Sequence, residues 1–121
     1  MMRREARALN KEEYLDFCRS IAGAAVDQPF EEDFTTYIAR HADSRKWFAA
    51  VMELGGRAFV NLKCEPIEAD FLRSVYAGIE PGYHMNKTHW NTVYLDADVP
   101  DALLQQMTMN SFRLTSGRRR A

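Results

Sequence analysis

The sequence predicts a two-layer α+β domain in which helices cover one face of a five-stranded antiparallel sheet. Three segments carry apolar residues at helical spacing and five shorter ones have strand-like patterns, in the order α-β-β-β-α-β-β-α. A Gly-Gly pair joins two of the strands as a hairpin, which requires antiparallel pairing. Three amphipathic helices can cover only one side of such a sheet, so the other side is expected to be free of helices.

The first helix is expected to begin after Asn10 and to end at Gly23. Asn10 can cap the helix, and Glu13 three residues later completes a capping box, which satisfies backbone N–H groups at the helix start. Its apolar stripe consists of Tyr14, Leu15, Phe17, Cys18 and Ile21.

Three strands are predicted next, over residues 34–39, 47–54 and 57–63. A polar run joins the first two. Gly55-Gly56 forms a tight turn between the second and third, because glycine reaches positive φ without a side-chain clash.

The second half of the chain supplies two more helices and two more strands. Pro66 suits the first position of a helix that is expected to end near Gly78. Strands are predicted over 79–84 and 90–95, and the last helix is predicted from Pro100 onwards.

The third strand alternates most clearly. One side is expected to face the helices and carries Ala58, Val60, Leu62 and Cys64. The opposite side belongs to the helix-free face and carries Arg57, Phe59, Asn61 and Lys63.

Length and composition fit a single domain. The 121 residues are 46% hydrophobic and 27% charged, and we predict one domain over residues 10–114 with basic, flexible tails over 1–9 and 115–121. No run approaches the roughly 18 apolar residues of a membrane span, and the segment with Arg3, Arg4 and Arg7 lacks the apolar core expected of a secretory signal. We therefore expect a cytoplasmic protein that has no membrane partner.

The net charge of −1 conceals an uneven distribution. Arginines concentrate at both ends of the chain, whereas acidic residues outnumber basic ones in the body, which should repel a bulk polyanion. Two windows, residues 54–64 and 81–95, contain no acidic residue. Local positive potential is therefore expected in these two windows.

The helix-free face is predicted to combine aromatic rings with cations. Rings can stack on flat ligands, and Lys or Arg can bind phosphates or carboxylates. The alternative is a half-buried sheet face on which aromatic residues serve packing alone. The side chains concerned are Phe59, Trp90 and Tyr94, beside Arg57, Asn61, Lys63, Thr92 and the turn that contains His84 and His89.

Cys64 admits two chemical interpretations besides a structural one. It could join His84 and His89 as a ligand of zinc or iron, although the spacing of the histidines in a turn lacks the one-face geometry of a helical pair. It could also be a nucleophilic thiolate, helped by Lys63, a histidine and the N-terminus of the helix that begins at Pro66. A small residue fitting a tight corner is the structural alternative.

Five motifs carry a resemblance to a known family. They are NKEEY at 10–14, ELGGR at 53–57, FVNLKC at 59–64, PGYHMNK at 81–87 and HWNTV at 89–93. With them the chain resembles the MmcQ/YjbR family from residue 10 to about 114. The resemblance implies a small bacterial-type α-β3-α-β2-α domain, related to secretion-chaperone-like and frataxin-like folds.

The resemblance also implies DNA binding, because members of the family are usually labelled so. In this interpretation phosphates contact Arg57, Lys63, His84, Lys87 and His89, and bases stack on Trp90 and Tyr94. The alternative is a non-enzymatic module for a small anionic or aromatic ligand, or a peptide, held by Asn61, Lys63, Tyr83, His84, Asn86 and Trp90. We expect no catalytic residue, cofactor or metal, and a monomer or weak homodimer.

Overall fold

The computed structural model describes residues 9–117. The helices are α1 (Lys11–Arg19), α2 (Pro66–Val75) and α3 (Asp101–Leu114). The strands are β1 (Ala24–Asp27), β2 (Tyr37–His41), β3 (Trp47–Leu54), β4 (Arg57–Lys63), β5 (Ile79–Pro81) and β6 (Trp90–Tyr94). No helix within these residues is long and apolar enough to cross a membrane.

Most of the predicted tails, residues 1–8 and 118–121, lie outside the described residues. Packing extends slightly beyond the predicted domain of 10–114. Leu9 contacts the core and its N–H donates to Asp101, and the side chain of Thr115 is buried.

The strands form one antiparallel sheet in the order β1-β2-β3-β4-β6-β5. The sheet therefore has six strands, and the predicted count of five was wrong. The strand that the sequence analysis missed is β1, which pairs with β2 at one edge of the sheet. Its four residues, Ala-Ala-Val-Asp, do not alternate between apolar and polar side chains, which is the pattern that marks a strand in a sequence, and all four are half-buried.

Several element boundaries also differ from the prediction. Helix α1 ends at Arg19 rather than at Gly23, with Ser20 as its C-cap. Strand β2 begins at Tyr37 because the Asp33 carboxylate accepts hydrogen bonds from both Thr35 and Thr36, which fold the preceding residues into a turn. Strand β5 ends at Pro81.

The capping box and the hairpin were predicted correctly. The Asn10 side chain accepts from the Glu13 N–H at 2.8 Å, and the Glu13 carboxylate accepts from the Asn10 N–H at 3.0 Å. Gly55 and Gly56 both have positive φ, and β3 pairs with β4 across them.

The helices cover one face of the sheet, as expected, and the core lies between the two layers. Tyr14 of α1 and Leu104 of α3 pack there against inward-facing strand residues such as Val60 and Leu62. The buried Ser111 hydroxyl of α3 donates to the Phe48 carbonyl and accepts from the Lys63 N–H. This hydroxyl therefore links α3 to both β3 and β4.

A bulge at the start of β3 changes which side chains face away from the helices. Ala39 pairs with Ala49 and Arg40 pairs with Trp47, so Phe48 is skipped in the register. Phe48 and Ala49 both belong to the buried core. Because a bulge shifts the alternation by one residue, Trp47 lies on the helix-free face.

Candidate functional site

The connection between β5 and β6, residues 82–89, folds back over the helix-free face. Asn61 of β4 donates from Nδ2 to the Tyr83 carbonyl at 2.9 Å and accepts from the Thr92 hydroxyl. Thr92 in turn accepts from the Tyr83 N–H at 2.8 Å. Asn61 is completely buried. Its amide therefore fixes the connection to the sheet and is not open to solvent.

The aromatic side chains of this face pack against one another. Phe59 is 1% exposed, with the rings of Tyr83 and Tyr94 at 5.6 and 5.7 Å in edge-to-face contact. Phe59, Asn61 and Thr92 share the helix-free face as expected, and their burial there agrees with the alternative of a packed sheet face rather than with an open binding surface. The connection between β5 and β6 covers them and divides the predicted surface in two.

Arg57 and Tyr94 lie on one side of this cover. The guanidinium lies 3.8 Å from the centre of the Tyr94 ring, and its Nε is 2.9 Å from Asp96. Arg57 therefore already has an anionic partner. Tyr83 and His84 are exposed residues of the covering connection itself. Their ring centres lie 4.1 Å apart, and His84 has a φ of 59°.

The polar residues of the covering connection largely hold the connection itself. Lys87 donates from Nζ to the Gly82 carbonyl at 2.8 Å, and the Asn86 side chain accepts from the Thr88 N–H at 2.9 Å. The exposed His89 accepts at its carbonyl from the Cys64 N–H. Arg73 of α2, which the sequence analysis did not single out, donates to the Lys87 carbonyl and thereby ties α2 to the connection.

A cleft of about 360 Å³ opens on the other side of the cover. Strand β3 begins there, β4 ends there and β6 begins there, beside the last turn of α3. Lys63 and Trp90 are direct partners in the β4–β6 register, so their side chains lie next to each other. The cleft is lined by Lys46, Trp47, Lys63, Met85, Trp90, Leu114 and Thr115.

Both tryptophans of the chain line this cleft. Two ammonium groups, those of Lys46 and Lys63, accompany them. Within residues 9–117 neither ammonium forms an ion pair with a carboxylate. The cleft therefore combines positive charge with two indole rings, which is the chemistry expected from the sequence but assembled from a partly different set of residues.

A second, smaller crevice of about 140 Å³ lies beside the cleft. Trp47 and Met85 line both spaces, so the two adjoin at these side chains. The crevice is mainly apolar and lies over β2, β3 and β4, with Tyr83 and His84 on one side and Phe30 on the other. Phe30 meets Trp47 edge to face at 6.2 Å. We call the two adjoining spaces the groove; its cleft carries the lysines and its crevice is apolar.

Of the predicted site residues, the structure brings Lys63 and Trp90 together in the cleft and places Tyr83 and His84 at the crevice. Asn61 also lines the crevice, although its polar atoms are already bonded. The others lie outside the groove: Arg57, Asn86, Lys87, His89 and Tyr94. Sequence analysis missed Lys46, Trp47 and Met85, and only the bulge in β3 shows that Trp47 faces this way.

The chemical interpretations of Cys64 find no geometric support. Its side chain is buried in the core on the helix side, whereas His84 lies on the opposite face. Burial, with a further contribution from Glu68, raises the pKa of the Cys64 thiol to about 11, which disfavours a thiolate. Among residues 9–117 no three His, Cys, Asp or Glu side chains are arranged to hold a metal ion.

Comparison with known proteins agrees with the fold. The model of the YjbR family matches residues 19–114. The chain belongs to the YjbR family. It is 34% identical to YjbR of Escherichia coli K12, over 84% of this chain and 82% of that protein. It is 30% identical to YyaQ of Bacillus subtilis, over 88% and 98%. The match to YbdF of Escherichia coli O157:H7 is 41% identical but covers only 57% of each chain.

Two solved structures have the same architecture. A protein from Pseudomonas syringae superposes with a TM-score of 0.81 at 30% identity, covering 89% of this chain and all of that one. Protein DR2400 of Deinococcus radiodurans superposes with a TM-score of 0.76 at 25% identity, covering 93% and 81%. The YjbR, YyaQ and YbdF proteins are described as uncharacterised, so membership of the family supplies the fold and no activity.

Proposed function

We propose that this protein binds a small anionic ligand carrying an aromatic or apolar group, and that the ligand occupies the groove between Lys46 and Phe30. A single observation carries the proposal: both tryptophans and two lysines without a carboxylate partner among the described residues line one cleft. The anionic group would lie between the two ammonium groups, and a planar group would lie against the indoles.

The chemistry of the groove favours a ligand of this kind. A lysine ammonium is a compact point charge that suits a carboxylate or phosphate, and stacking of a planar group on an aromatic ring contributes about 1–3 kcal/mol. Beyond Trp47 the crevice has room for an apolar extension, since apolar cavities on the order of 150 Å³ accept a benzene-sized group.

Tryptophan fluorescence provides a direct test because both indoles line the proposed site. Purified protein would be titrated with aromatic carboxylates, nucleoside monophosphates and medium-chain fatty acids. We expect at least one class to change the emission in a saturable way. No change in emission with any of the three classes would contradict the proposal. Loss of the emission change in Trp47→Phe or Trp90→Phe would show which indole the ligand contacts.

Charge variants separate the cleft from the rest of the surface. Lys63→Gln should weaken binding about tenfold, which corresponds to roughly 1.4 kcal/mol for a charge-assisted contact. Arg19→Gln is the matched control, because it removes one positive charge from an exposed side chain of α1 that lines neither the cleft nor the crevice. Equal affinity of Lys63→Gln and the wild type would place the ligand elsewhere.

DNA binding, which the family resemblance implies, is the second candidate function. Unpaired cations beside indole rings also suit a phosphate backbone and its bases. Two of the expected phosphate contacts already have partners within the protein, which counts against DNA binding: Arg57 binds Asp96, and Lys87 donates to the Gly82 carbonyl. Labelled single- and double-stranded oligonucleotides titrated at about 50 and about 200 mM salt decide the matter, since binding through phosphates weakens steeply with salt. Absence of binding at low salt removes this candidate.

The cytoplasmic location and the monomeric or weakly dimeric state also stay predictions. Cell fractionation tests the first, and sedimentation at two protein concentrations tests the second.

A further inference from the structure

Helix α2 presents apolar side chains to solvent. Ile67, Phe71 and Val75 are 87%, 63% and 50% exposed, and they follow one another at intervals of four residues. They therefore form a stripe along one face, about 12 Å long at the helical rise per residue. The opposite face of the helix is buried through Ala69 and Leu72. The stripe consequently has no partner among the described residues.

The charges beside this stripe have one sign. Glu68 and Asp70 are exposed on either side of it, and the exposed Glu65 precedes the helix. Arg73 is the only basic residue of α2 and is mostly buried: its guanidinium donates to Asn91 at 2.6 Å and to the Lys87 carbonyl. Its Nη1 also lies 3.4 Å from Asp70, whose carboxylate nevertheless stays 83% exposed. The surface of α2 is therefore an apolar stripe with an acidic rim.

We propose that the α2 stripe binds a basic amphipathic helix of another protein. Three anchors at helical spacing fit the apolar positions of a partner helix laid against α2. Lysines or arginines flanking those positions would meet Glu68 and Asp70, and electrostatic complementarity of this kind selects partners and speeds their association. A second copy of this chain would bring two acidic rims together, and an anionic membrane surface would be repelled by the same rim.

This surface is independent of the proposed ligand groove, because no residue of α2 lines the cleft or the crevice. The probe is a fluorescein-labelled helical peptide of leucine and lysine, with leucines at i, i+4 and i+7. The matched peptide carries glutamate at every lysine position. Fluorescence anisotropy would measure the affinity of the wild type for both peptides.

We expect the lysine peptide to bind and the glutamate peptide to bind at least tenfold more weakly. The double variant Ile67→Ser/Phe71→Ser should lose at least tenfold in affinity, and Glu68→Gln/Asp70→Asn should bind more weakly and with less dependence on salt. Phe34→Ser is the matched control, since Phe34 is 80% exposed but lies in the loop before β2. Circular dichroism and thermal unfolding would show that each variant folds.

Five results would overturn the proposal. The first four are no binding of the lysine peptide, equal binding of the two peptides, unchanged affinity of Ile67→Ser/Phe71→Ser, and stripe-dependent self-association of the wild type. The fourth would mean that a second copy covers α2. The fifth, cosedimentation with vesicles of phosphatidylglycerol that depends on the stripe, would likewise replace the protein partner with a lipid surface.

Discussion

Replacing Asn61 by alanine tests how the covering connection is held. The Asn61 amide forms three hydrogen bonds in a completely buried position: it donates to the Tyr83 carbonyl and, at 3.9 Å, to the Met52 sulfur, and it accepts from the Thr92 hydroxyl. Each lost bond costs about 1 kcal/mol, and a buried partner left unsatisfied adds a penalty of about 1–3 kcal/mol. We therefore expect Asn61→Ala to lower the free energy of unfolding by about 3 kcal/mol and Tm by roughly 10 °C.

The assay is urea unfolding combined with amide hydrogen exchange. Exchange should accelerate over residues 83–89 in Asn61→Ala, because the connection loses its attachment to β4. Ligand affinity should fall as well, since Met85 in the same connection lines both parts of the groove. Asn86→Ala is the control, because Asn86 is exposed and bonds only within its own turn. Its expected cost is below about 1 kcal/mol.

A stability within about 0.5 kcal/mol of the wild type, with unchanged exchange over 83–89, would refute this reasoning. It would mean that aromatic packing of Phe59 against Tyr83 holds the connection without the amide.

Three further predictions concern the core and the connection. Burial lowers the pKa of His41 from 6.5, so the stability contributed by its neutral ring is present above that pH and is lost as the pH falls below it. Between about pH 8 and about pH 5, the free energy of unfolding measured in urea should therefore decrease less for His41→Phe than for the wild type. Equal decreases in the two proteins would contradict this prediction. Burial raises the pKa of Cys64 to about 11 and that of Cys18 to about 12, so Ellman's reagent at neutral pH should label both thiols only after denaturation. Rapid labelling of the folded protein would show that the thiols are accessible. A Cβ at Gly82 would lie 2.8 Å from the Cβ of Trp90 and 3.0 Å from its carbonyl oxygen, so Gly82→Ala should destabilise the protein by about 1–3 kcal/mol. Gly117→Ala, where a Cβ meets open space, is the control, and equal stability of the two variants would argue against the close contact.

Features that depend on near neighbours in the chain were predictable. The Asn10–Glu13 capping box and the Gly55-Gly56 turn each involve residues within four positions, so their chemistry is visible in the sequence. The inward side of β4 was also assigned correctly, because a regular strand alternates with a period of two. Strand β1 was missed because its pairing with β2, rather than its own residues, makes it a strand.

The candidate site was only half predictable, because part of it depends on how strands pair and not on near neighbours in the chain. Lys63 and Trp90 were expected near each other because two strands of one antiparallel sheet carry them. Lys46 and Trp47 could not be added, since the bulge that turns Trp47 to the helix-free face is a property of the β2–β3 register. The burial of Asn61 was equally hidden, because it depends on the path of the connection that covers it.

Sequence alone determined the three helices and five of the six strands of this protein, where most of the turns lie and which β4 side chains share a face. These properties follow from backbone preferences and apolar periodicity over a few residues. Only the tertiary structure decided which part of the helix-free face stays open, and that both tryptophans meet two lysines there. Solvent exposure depends on contacts between residues far apart in the chain, and a local pattern contains no information about them.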